Sequence, residues 1–167
     1  MSEKSKILCV QEIDQKIKRL AWQLYENNVS EKEIIVVGIS ERGLILAKQL
    51  AAHIQEISKI KTKLAHLELD KDNPYNKEVI LNLEEKEYAE KVVILVDDVL
   101  NSGKTLMYAA KHFLTTPLSK LSTLVLVDRN HNRYPIKADY VGLSLATTLQ
   151  EYINVELKGA NKGVYLS

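Results

Sequence analysis

The sequence predicts an α/β fold in which helices flank a mainly parallel central sheet. Two short runs, residues 34–37 and 92–96, are wholly apolar and rich in β-branched side chains, which is typical of strands that are buried on both faces. Each run is followed by a turn and then by apolar residues at helical spacing. Strands that alternate with helices in this way favour a parallel sheet covered by helices.

The predicted elements follow one another along the chain. Apolar residues recur every three or four positions over residues 10–27, 44–54 and 104–113, which predicts three amphipathic helices. A polar stretch rich in turn formers separates two predicted strands, residues 64–69 and 79–83, which can pair as a long, mobile hairpin. Further candidate strands cover residues 124–127, 140–143 and 153–157. Because the length is that of one ordinary domain, we expect a single domain over residues 1–167.

The charge and the cysteine content narrow the classes of partner and compartment. The formal net charge is +1, so no global field attracts nucleic acid or a membrane surface. Cys9 is the only cysteine, which excludes an intramolecular disulfide and leaves no cysteine pair for a zinc site. The chain lacks the apolar run of a signal peptide and the ~20 apolar residues of a membrane span. We therefore expect a cytoplasmic protein with no membrane partner.

The turn after residues 92–96 carries the most specific chemistry. Gly103, Lys104 and Thr105 match the end of a nucleotide-binding P-loop, but Asp98 stands where its first glycine should be, beside Asp97. Two carboxylates would repel a triphosphate, so the pattern argues against an NTPase. A strand end that leads into a helix start can instead hold a single phosphate, and paired carboxylates can accept hydrogen bonds from vicinal hydroxyls. Together these features predict a site for a ribose 5-phosphate.

Three segments carry a family resemblance. The segment D-D-V-L-N-S-G-K-T at residues 97–105, preceded by its apolar strand, resembles the phosphoribosyl pyrophosphate (PRPP) motif of type I phosphoribosyltransferases. The loop G-I-S-E-R-G at residues 38–43 resembles the pyrophosphate loop of the same fold. Residues 126–129 and 135–142 are similar to the branch of bifunctional pyrimidine-operon regulators and uracil phosphoribosyltransferases. The resemblance implies the type I phosphoribosyltransferase fold, with a mobile hairpin (hood or flexible loop) beside the central sheet.

The resemblance also implies roles for single residues. Asp97 and Asp98 would bind the ribose hydroxyls and lie near the positive charge that develops on the sugar, and Arg42 would meet the leaving pyrophosphate, so these three are the expected catalytic residues. Mg²⁺ is the implied cofactor, held mainly through PRPP, with Asp97 and Asp98 as candidate protein ligands. The expected PRPP-binding residues are Ser40, Glu41, Arg42, Gly43, Asp97, Asp98, Asn101, Ser102, Gly103, Lys104 and Thr105.

Two departures from the purine enzymes of the family favour uracil as the base. Those enzymes carry, at the place of Asn101, an aspartate that takes a proton from the base, and an amide cannot do so. They also carry a lysine in the segment where this chain has Asp128. We therefore expect the conversion of uracil to UMP with release of pyrophosphate, a step of nucleotide salvage. The candidate base contacts are Arg129, Val141, Tyr152, Ile153 and Val155.

Two alternative functions stay open. One is a hypoxanthine or guanine phosphoribosyltransferase. The other is a regulator that senses PRPP or a nucleotide and acts on RNA or on a protein partner with little catalysis. The hairpin of the uracil branch carries a tyrosine and an arginine that close over PRPP, whereas residues 66–90 contain no arginine. Lys71 and Lys77 are the candidates to replace it.

The expected partners are PRPP and a nucleobase, and RNA ranks below them. Trp22 stands where the RNA-binding relatives of the branch carry a histidine, and the basic residues form only a thin phosphate footprint. The basic residues that match the RNA-contacting face are Lys18, Arg19, Arg129 and His131. Because this fold often buries its N-terminal helix or a sheet edge between subunits, we also expect a homodimer or a higher homo-oligomer.

Overall fold

A six-stranded sheet forms the centre of the structure, a computed structural model in which residues 4–167 are described. Five of its strands run parallel to one another and one edge strand is antiparallel, which confirms the predicted α/β class. In chain order the elements are β1 (Ser5–Leu8), α1 (Val10–Glu26), β2 (Glu33–Ile39), α2 (Ser40–Ile57), β3 (Lys61–Glu68), β4 (Ile80–Leu81), α3 (Glu85–Tyr88), β5 (Val92–Leu100), α4 (Lys104–Phe113), β6 (Lys120–Asp128), β7 (Tyr140–Ser144), β8 (Ile153–Glu156) and β9 (Gly163–Leu166).

The strand order of the central sheet reverses between β2 and β5. The order across the sheet is β4-β3-β2-β5-β6-β7. From β2 the chain moves outward through β3 to β4 on one side, and from β5 it moves outward through β6 to β7 on the other. In open α/β sheets, ligands bind outside the carboxyl ends of the strands at such a reversal. The loops that follow β2 and β5 are therefore placed to form a site.

Alternate residues of the central strands face two separate apolar cores. In β2, Ile34 and Val36 pack with α1 and α2 on one face of the sheet. Ile35 and Val37 pack with α4 on the other face. This alternation follows from the two-residue period of a strand, and it explains why the predicted strands are apolar throughout. No helix within residues 4–167 combines the length and the apolarity needed to cross a membrane.

A second sheet of three antiparallel strands joins the two ends of the described chain. Its central strand, β9, pairs with β1 on one side and with β8 on the other. Val155 of β8 and Val164 of β9 enter the same core as α1 and α2. The sequence predicts β8 but neither β1 nor β9, because these four-residue strands are too short to show a clear apolar alternation.

The hairpin and β5 differ in extent from the prediction. β3 and β4 pair antiparallel as predicted, but β4 has only two residues and the short α3 follows it. β5 runs on to Leu100 rather than ending at residue 96, because its pairing with β6 continues as far as Leu100 opposite Asp128. Asp97 and Asp98 therefore lie within a strand rather than in a turn.

Replacing Gly38 with alanine is expected to weaken the fold. A Cβ at this position would lie 2.3 Å from the Cα and 2.5 Å from the backbone nitrogen of Leu44, so α2 would have to move away from β2. We expect Gly38→Ala to lower the free energy of unfolding by about 1–3 kcal/mol in urea denaturation. Ala52→Ser, at an exposed position of α2, is the control and should change it by no more than about 0.5 kcal/mol. Equal stability of the two variants would contradict the close approach of α2 to β2 at Gly38.

Candidate active site

A cavity of about 600 Å³ opens at the carboxyl ends of β2 and β5, where the strand order reverses. Its walls are the first turn of α2, the end of β5, the loop of residues 101–103 and the start of α4. Lys71 and Asp72 join the wall from the hairpin between β3 and β4, and Ile153 joins it from the start of β8. The cavity thus collects segments from both sheets and from the hairpin.

The loop between β5 and α4 has the geometry of a small anion cradle. Gly103 precedes α4 with a φ of 87°, a left-handed conformation that glycine adopts without strain, and a Cβ there would lie 2.7 Å from Cγ2 of Ile136. The first backbone hydrogen bond of α4 runs from the Met107 amide to the Gly103 carbonyl (3.0 Å). The amides of Thr105 and Leu106 precede that bond, so the helix does not use them. They lie at the positive end of the helix dipole, where an anion is stabilised.

Two buried carboxylates lie near the end of β5. Asp97 and Asp98 are only 2% and 4% exposed. Asp97 Oδ1 accepts hydrogen bonds from the Asp98 amide and from Lys71 Nζ, both at 2.9 Å. The Asp98 carboxylate lies 3.7 Å from Lys71 Nζ and 3.7 Å from Arg42 Nη1. Two cations therefore face two carboxylates at the wall of one cavity.

Burial controls the protonation of Asp97. Burial raises the pKa of Asp97 from its ordinary 3.8 to about 7, while the ammonium group of Lys71 acts against this rise and the charge of Asp98 adds to it. Burial also lowers the pKa of Lys71, but the attraction of Asp97 and Asp98 outweighs this effect and leaves that pKa above its ordinary value. A further cation beside Asp97 would favour its charged form.

The start of α2 is held against β5 in a strained conformation. Ser40 has a φ of 57°, in the left-handed region that costs a residue other than glycine about 1–3 kcal/mol. Gly43 lies so close to β5 that a Cβ would be 2.6 Å from the carbonyl oxygen of Val96. Arg42 extends from the cavity towards the second sheet, where its Nη2 lies 3.9 Å from Glu156 of β8. Strain of this kind concentrates where a backbone is shaped for a ligand.

The hairpin between β3 and β4 contacts both the carboxylates and the cradle. Lys71 pairs with the carboxylates, and the carbonyl of Asp72 accepts a hydrogen bond from Lys104 Nζ (2.6 Å). Asp70 shapes the turn, because its Oδ1 accepts hydrogen bonds from the amides of Asp72 and Asn73 at 3.0 Å each. The sequence indicates Lys71 only as a replacement for a missing arginine. Asp72 carries no sequence signal, because it makes this contact through its backbone.

Most residues of the expected PRPP site lie at the cavity wall. Gly43 is buried behind that wall, and Ile153 is the one candidate base contact among the lining residues. The expected PRPP-binding residues that line the cavity are Ser40, Glu41, Arg42, Asp97, Asp98, Asn101, Ser102, Gly103, Lys104 and Thr105.

The other four candidate base contacts lie behind or beside the wall. Arg129 is 7% exposed, and its guanidinium group donates to Asn101 and to the loop of residues 147–151. Val155 is fully buried in the core beneath α1 and α2. Tyr152 is exposed, with its ring centre 5.9 Å from the Arg129 guanidinium carbon, and Val141 lies half-buried in β7. Asn101 reaches the cavity and binds Arg129, so it links the wall to this group.

One protein family and several named proteins are similar to this chain in sequence. The phosphoribosyl transferase domain family matches residues 4–158 of the chain. The bifunctional protein PyrR of Clostridium acetobutylicum is 36% identical over 169 residues, which cover 97% of this chain and 95% of that protein. The bifunctional protein pyrR of Enterococcus faecalis is 35% identical over 154 residues, which cover 85% of this chain and 83% of that protein. These matches confirm the resemblance to the type I phosphoribosyltransferases and to their branch of bifunctional pyrimidine-operon regulators.

Solved structures share the fold at lower sequence identity. A hypoxanthine-guanine phosphoribosyltransferase from Bacillus anthracis superposes with a TM-score of 0.79 at 23% identity, over 100% of this chain and 99% of that one. The hypoxanthine phosphoribosyltransferase of Trypanosoma cruzi, in complex with the product IMP, gives a TM-score of 0.76 at 18% identity. The match covers 90% of this chain and 83% of that one. At these sequence identities, the structural similarity shows a shared fold and does not show a shared function.

The raised pKa of Asp97 predicts a pH-dependent effect of Asp97→Asn. Between about pH 4 and pH 7 the unfolded chain has lost this proton while the folded protein still holds it, so the folded state loses stability as the pH rises through this window. Asparagine avoids that cost. In thermal unfolding without substrate or divalent metal, we expect Asp97→Asn to melt several degrees above the parent protein at pH 8. The difference should shrink towards pH 4.

Asp14→Asn is the matched control for this experiment. The Asp14 side chain is 47% exposed and pairs with Lys162 at 2.7 Å, so its replacement should change stability by no more than about 1 kcal/mol. An Asp97→Asn protein that melts at or below the parent temperature at pH 8 would show that the buried carboxylate is fully compensated by its neighbours.

Proposed function

The chain belongs to the phosphoribosyltransferase family, and on that premise we propose that it transfers the ribose 5-phosphate of PRPP to uracil. The products are UMP and pyrophosphate. The observation that carries the proposal is the placement of two complementary half-sites at one cavity. Asp97 and Asp98 supply acceptors for the two ribose hydroxyls, and residues 102–105 supply the amides and hydroxyls for one phosphate.

Each part of PRPP has a matching part of the cavity. The 5-phosphate would bind the start of α4, where Ser102, Thr105 and the unused amides lie. The ribose diol would bind the carboxylates of β5. The pyrophosphate would bind the first turn of α2, where residues 40–43 provide backbone amides and the Arg42 guanidinium group. Arg42 is half exposed and can turn from its carboxylate partners towards a phosphate.

Mg²⁺ fits this site as a partner of PRPP. Within residues 4–167 no group of three or more histidine, cysteine, aspartate or glutamate side chains could hold a metal ion. Mg²⁺ commonly binds one or two carboxylates and completes its shell with water and substrate phosphates, which Asp97 and Asp98 suit. The Lys71 ammonium group lies 2.9 Å from Asp97, so positive charge beside this pair is already part of the fold. When bound, Mg²⁺ would neutralise the charge of the departing pyrophosphate.

The proposed reaction is a displacement at the anomeric carbon of the ribose. The bond from this carbon to the pyrophosphate oxygen breaks, a bond to a uracil nitrogen forms, and the proton of that nitrogen passes to water. Positive charge develops on the sugar, close to the carboxylates of Asp97 and Asp98, and negative charge develops on pyrophosphate, close to Arg42. Catalysis would come from positioning and from these fixed charges.

Uracil is preferred to a purine on two grounds. Asn101 lies at the cavity wall, and its amide cannot take a proton from a purine nitrogen. The relatives named bifunctional protein PyrR, at 36% and 35% identity, belong to the pyrimidine branch that the sequence resembles. Both observations support a pyrimidine base.

The basic side chains that resemble an RNA-contacting face are mostly engaged within the chain. Arg19 donates hydrogen bonds of 2.6 and 3.1 Å to backbone carbonyls of β7. Arg129 is buried, and His131 contacts a backbone carbonyl of the loop of residues 147–151. Lys18 is exposed. This supports PRPP and a nucleobase, rather than RNA, as the partners of the chain.

A homo-oligomer is proposed on the exposed side of α1. Trp22 is 48% exposed, although it is a large apolar side chain, and its ring packs edge-on against Tyr25 at 6.0 Å. An aromatic pair at the surface is the kind of anchor that subunit interfaces bury.

The base is tested by measuring pyrophosphate release with PRPP and Mg²⁺, one base at a time. We expect turnover with uracil and at least tenfold lower kcat/KM with hypoxanthine and guanine, because the amide of Asn101 cannot relay a purine proton. Turnover with a purine alone would select the purine enzyme. PRPP binding without turnover of any base would select the regulator.

The PRPP site is tested by the double substitution Asp97→Asn with Asp98→Asn. Hydrogen bonds to charged groups contribute about 1.5–3 kcal/mol each, so we expect PRPP affinity to fall at least ~100-fold in calorimetric titration with Mg²⁺. Asp14→Asn serves as the control and should bind PRPP like the parent protein. If the folded double variant binds PRPP with unchanged affinity, the assignment of the ribose site is wrong.

A further inference from the structure

Arg129 is a buried cation whose hydrogen-bond acceptors are all uncharged. It stands just after β6 and is 7% exposed. Its Nη1 donates to Asn101 Oδ1 (2.9 Å) and its Nε to Thr147 Oγ1 (3.0 Å). Its Nη2 donates to the carbonyls of Thr148 (3.3 Å) and Glu151. A buried guanidinium group persists only when such bonds satisfy it, so these contacts hold the segments around Arg129 together.

The bond from Arg129 determines which way the amide of Asn101 points. A guanidinium group has donors and no acceptor, so only the oxygen of the Asn101 amide can face it. The Nδ2 group is thereby turned away from Arg129, and it has no hydrogen-bond partner among residues 4–167. Since Asn101 is exposed at the cavity wall, this amide offers the cavity a donor.

Arg129 is connected to two parts of the same wall. It binds Asn101 directly, and through the Glu151 carbonyl it holds the chain two residues before Ile153, which also lines the cavity. With the ribose diol at Asp97 and Asp98, the anomeric carbon lies next to that diol. A base attached to it would enter the space near Asn101 and Ile153.

We propose, on the basis of the uracil transfer proposed above, that Arg129 and Asn101 form a specificity pair that presents one fixed N–H donor to the base. Arg129 is the positioning residue and Asn101 the contacting one. The pair selects a base that places a hydrogen-bond acceptor, such as a ring carbonyl oxygen of a pyrimidine, against Nδ2. It disfavours a base that places an N–H at the same point, because two donors would then face each other.

Asn101→Asp tests the pair with little change of shape. The new carboxylate would pair with Arg129 and offer an acceptor where the parent protein offers a donor. The probes are UMP and ribose 5-phosphate, whose affinities are measured by calorimetry, since they share the sugar and phosphate and differ by the base. We expect the ratio of UMP affinity to ribose 5-phosphate affinity to fall at least about tenfold. Asn161→Asp, an exposed change outside the cavity, should leave this ratio within about threefold.

Arg129→Lys and Arg129→Met test the positioning role. Lysine also has only donors and can keep the amide oriented, whereas methionine cannot. We expect the affinity ratio of Arg129→Lys to stay closer to the parent value than that of Arg129→Met. The proposed specificity role of Arg129 and Asn101 is wrong if Asn101→Asp keeps the parent affinity ratio. It is also wrong if the parent protein binds UMP no more tightly than ribose 5-phosphate.

The outcome for the pair is separable from the outcome for uracil transfer. Nucleotide binding needs no turnover, so a tenfold fall in the affinity ratio upholds the pair even if uracil releases no pyrophosphate from PRPP. In that case the proposed reaction fails and the pair stands. If uracil is turned over but Asn101→Asp keeps the parent ratio of UMP affinity to ribose 5-phosphate affinity, the proposed reaction stands. Only the specificity role of Arg129 and Asn101 is then wrong.

Discussion

The burial of Asp97 and Asp98 at the end of β5 is the constraint on which the rest of the site depends. Charged groups that leave water cost several kcal/mol each unless they are paired, and here other segments supply part of the compensation. The hairpin supplies Lys71 and the first turn of α2 supplies Arg42. A substrate with two hydroxyls, accompanied by a divalent cation, can satisfy the same carboxylates. The two side-chain cations on one hand, and a diol with a divalent cation on the other, therefore meet one electrostatic demand in two ways.

The strand order explains why these segments meet. Because the connections of β2 and β5 leave the sheet in opposite directions, the loops after the two strands enclose a crevice. Gly43 allows α2 to approach β5, and Gly103 allows the chain to turn into α4. The second sheet completes the cavity through Ile153, and ion pairs from Glu156 and Lys158 tie it to the first turn of α2. Both ends of the described chain thus support one cavity.

The sequence predicts the parts of the structure that depend on local spacing. α4 has the predicted bounds, and the cradle and the two carboxylates form one continuous motif. Contacts between distant segments give no such pattern: Lys71 meets Asp97 across 26 residues, and Arg129 meets Asn101 across 28. The sequence marks Arg129 as a candidate base contact, yet the structure buries its side chain behind the cavity wall. Which candidate base contacts reach the cavity therefore depended on the fold, whereas the carboxylate pair and the helix start beside it could be predicted without it.

We propose that one buried pair of carboxylates and one helix start hold the two ends of a ribose phosphate. The decisive measurement is a crystal structure of the protein with PRPP and Mg²⁺. We expect both ribose hydroxyls within about 3 Å of the Asp97 and Asp98 carboxylates, and the 5-phosphate on the amides that begin α4. We also expect that Lys71 Nζ no longer bonds to Asp97, because the diol and the metal replace it. PRPP bound elsewhere, or bound here with the contact between Lys71 and Asp97 unchanged, would show that this assignment is wrong.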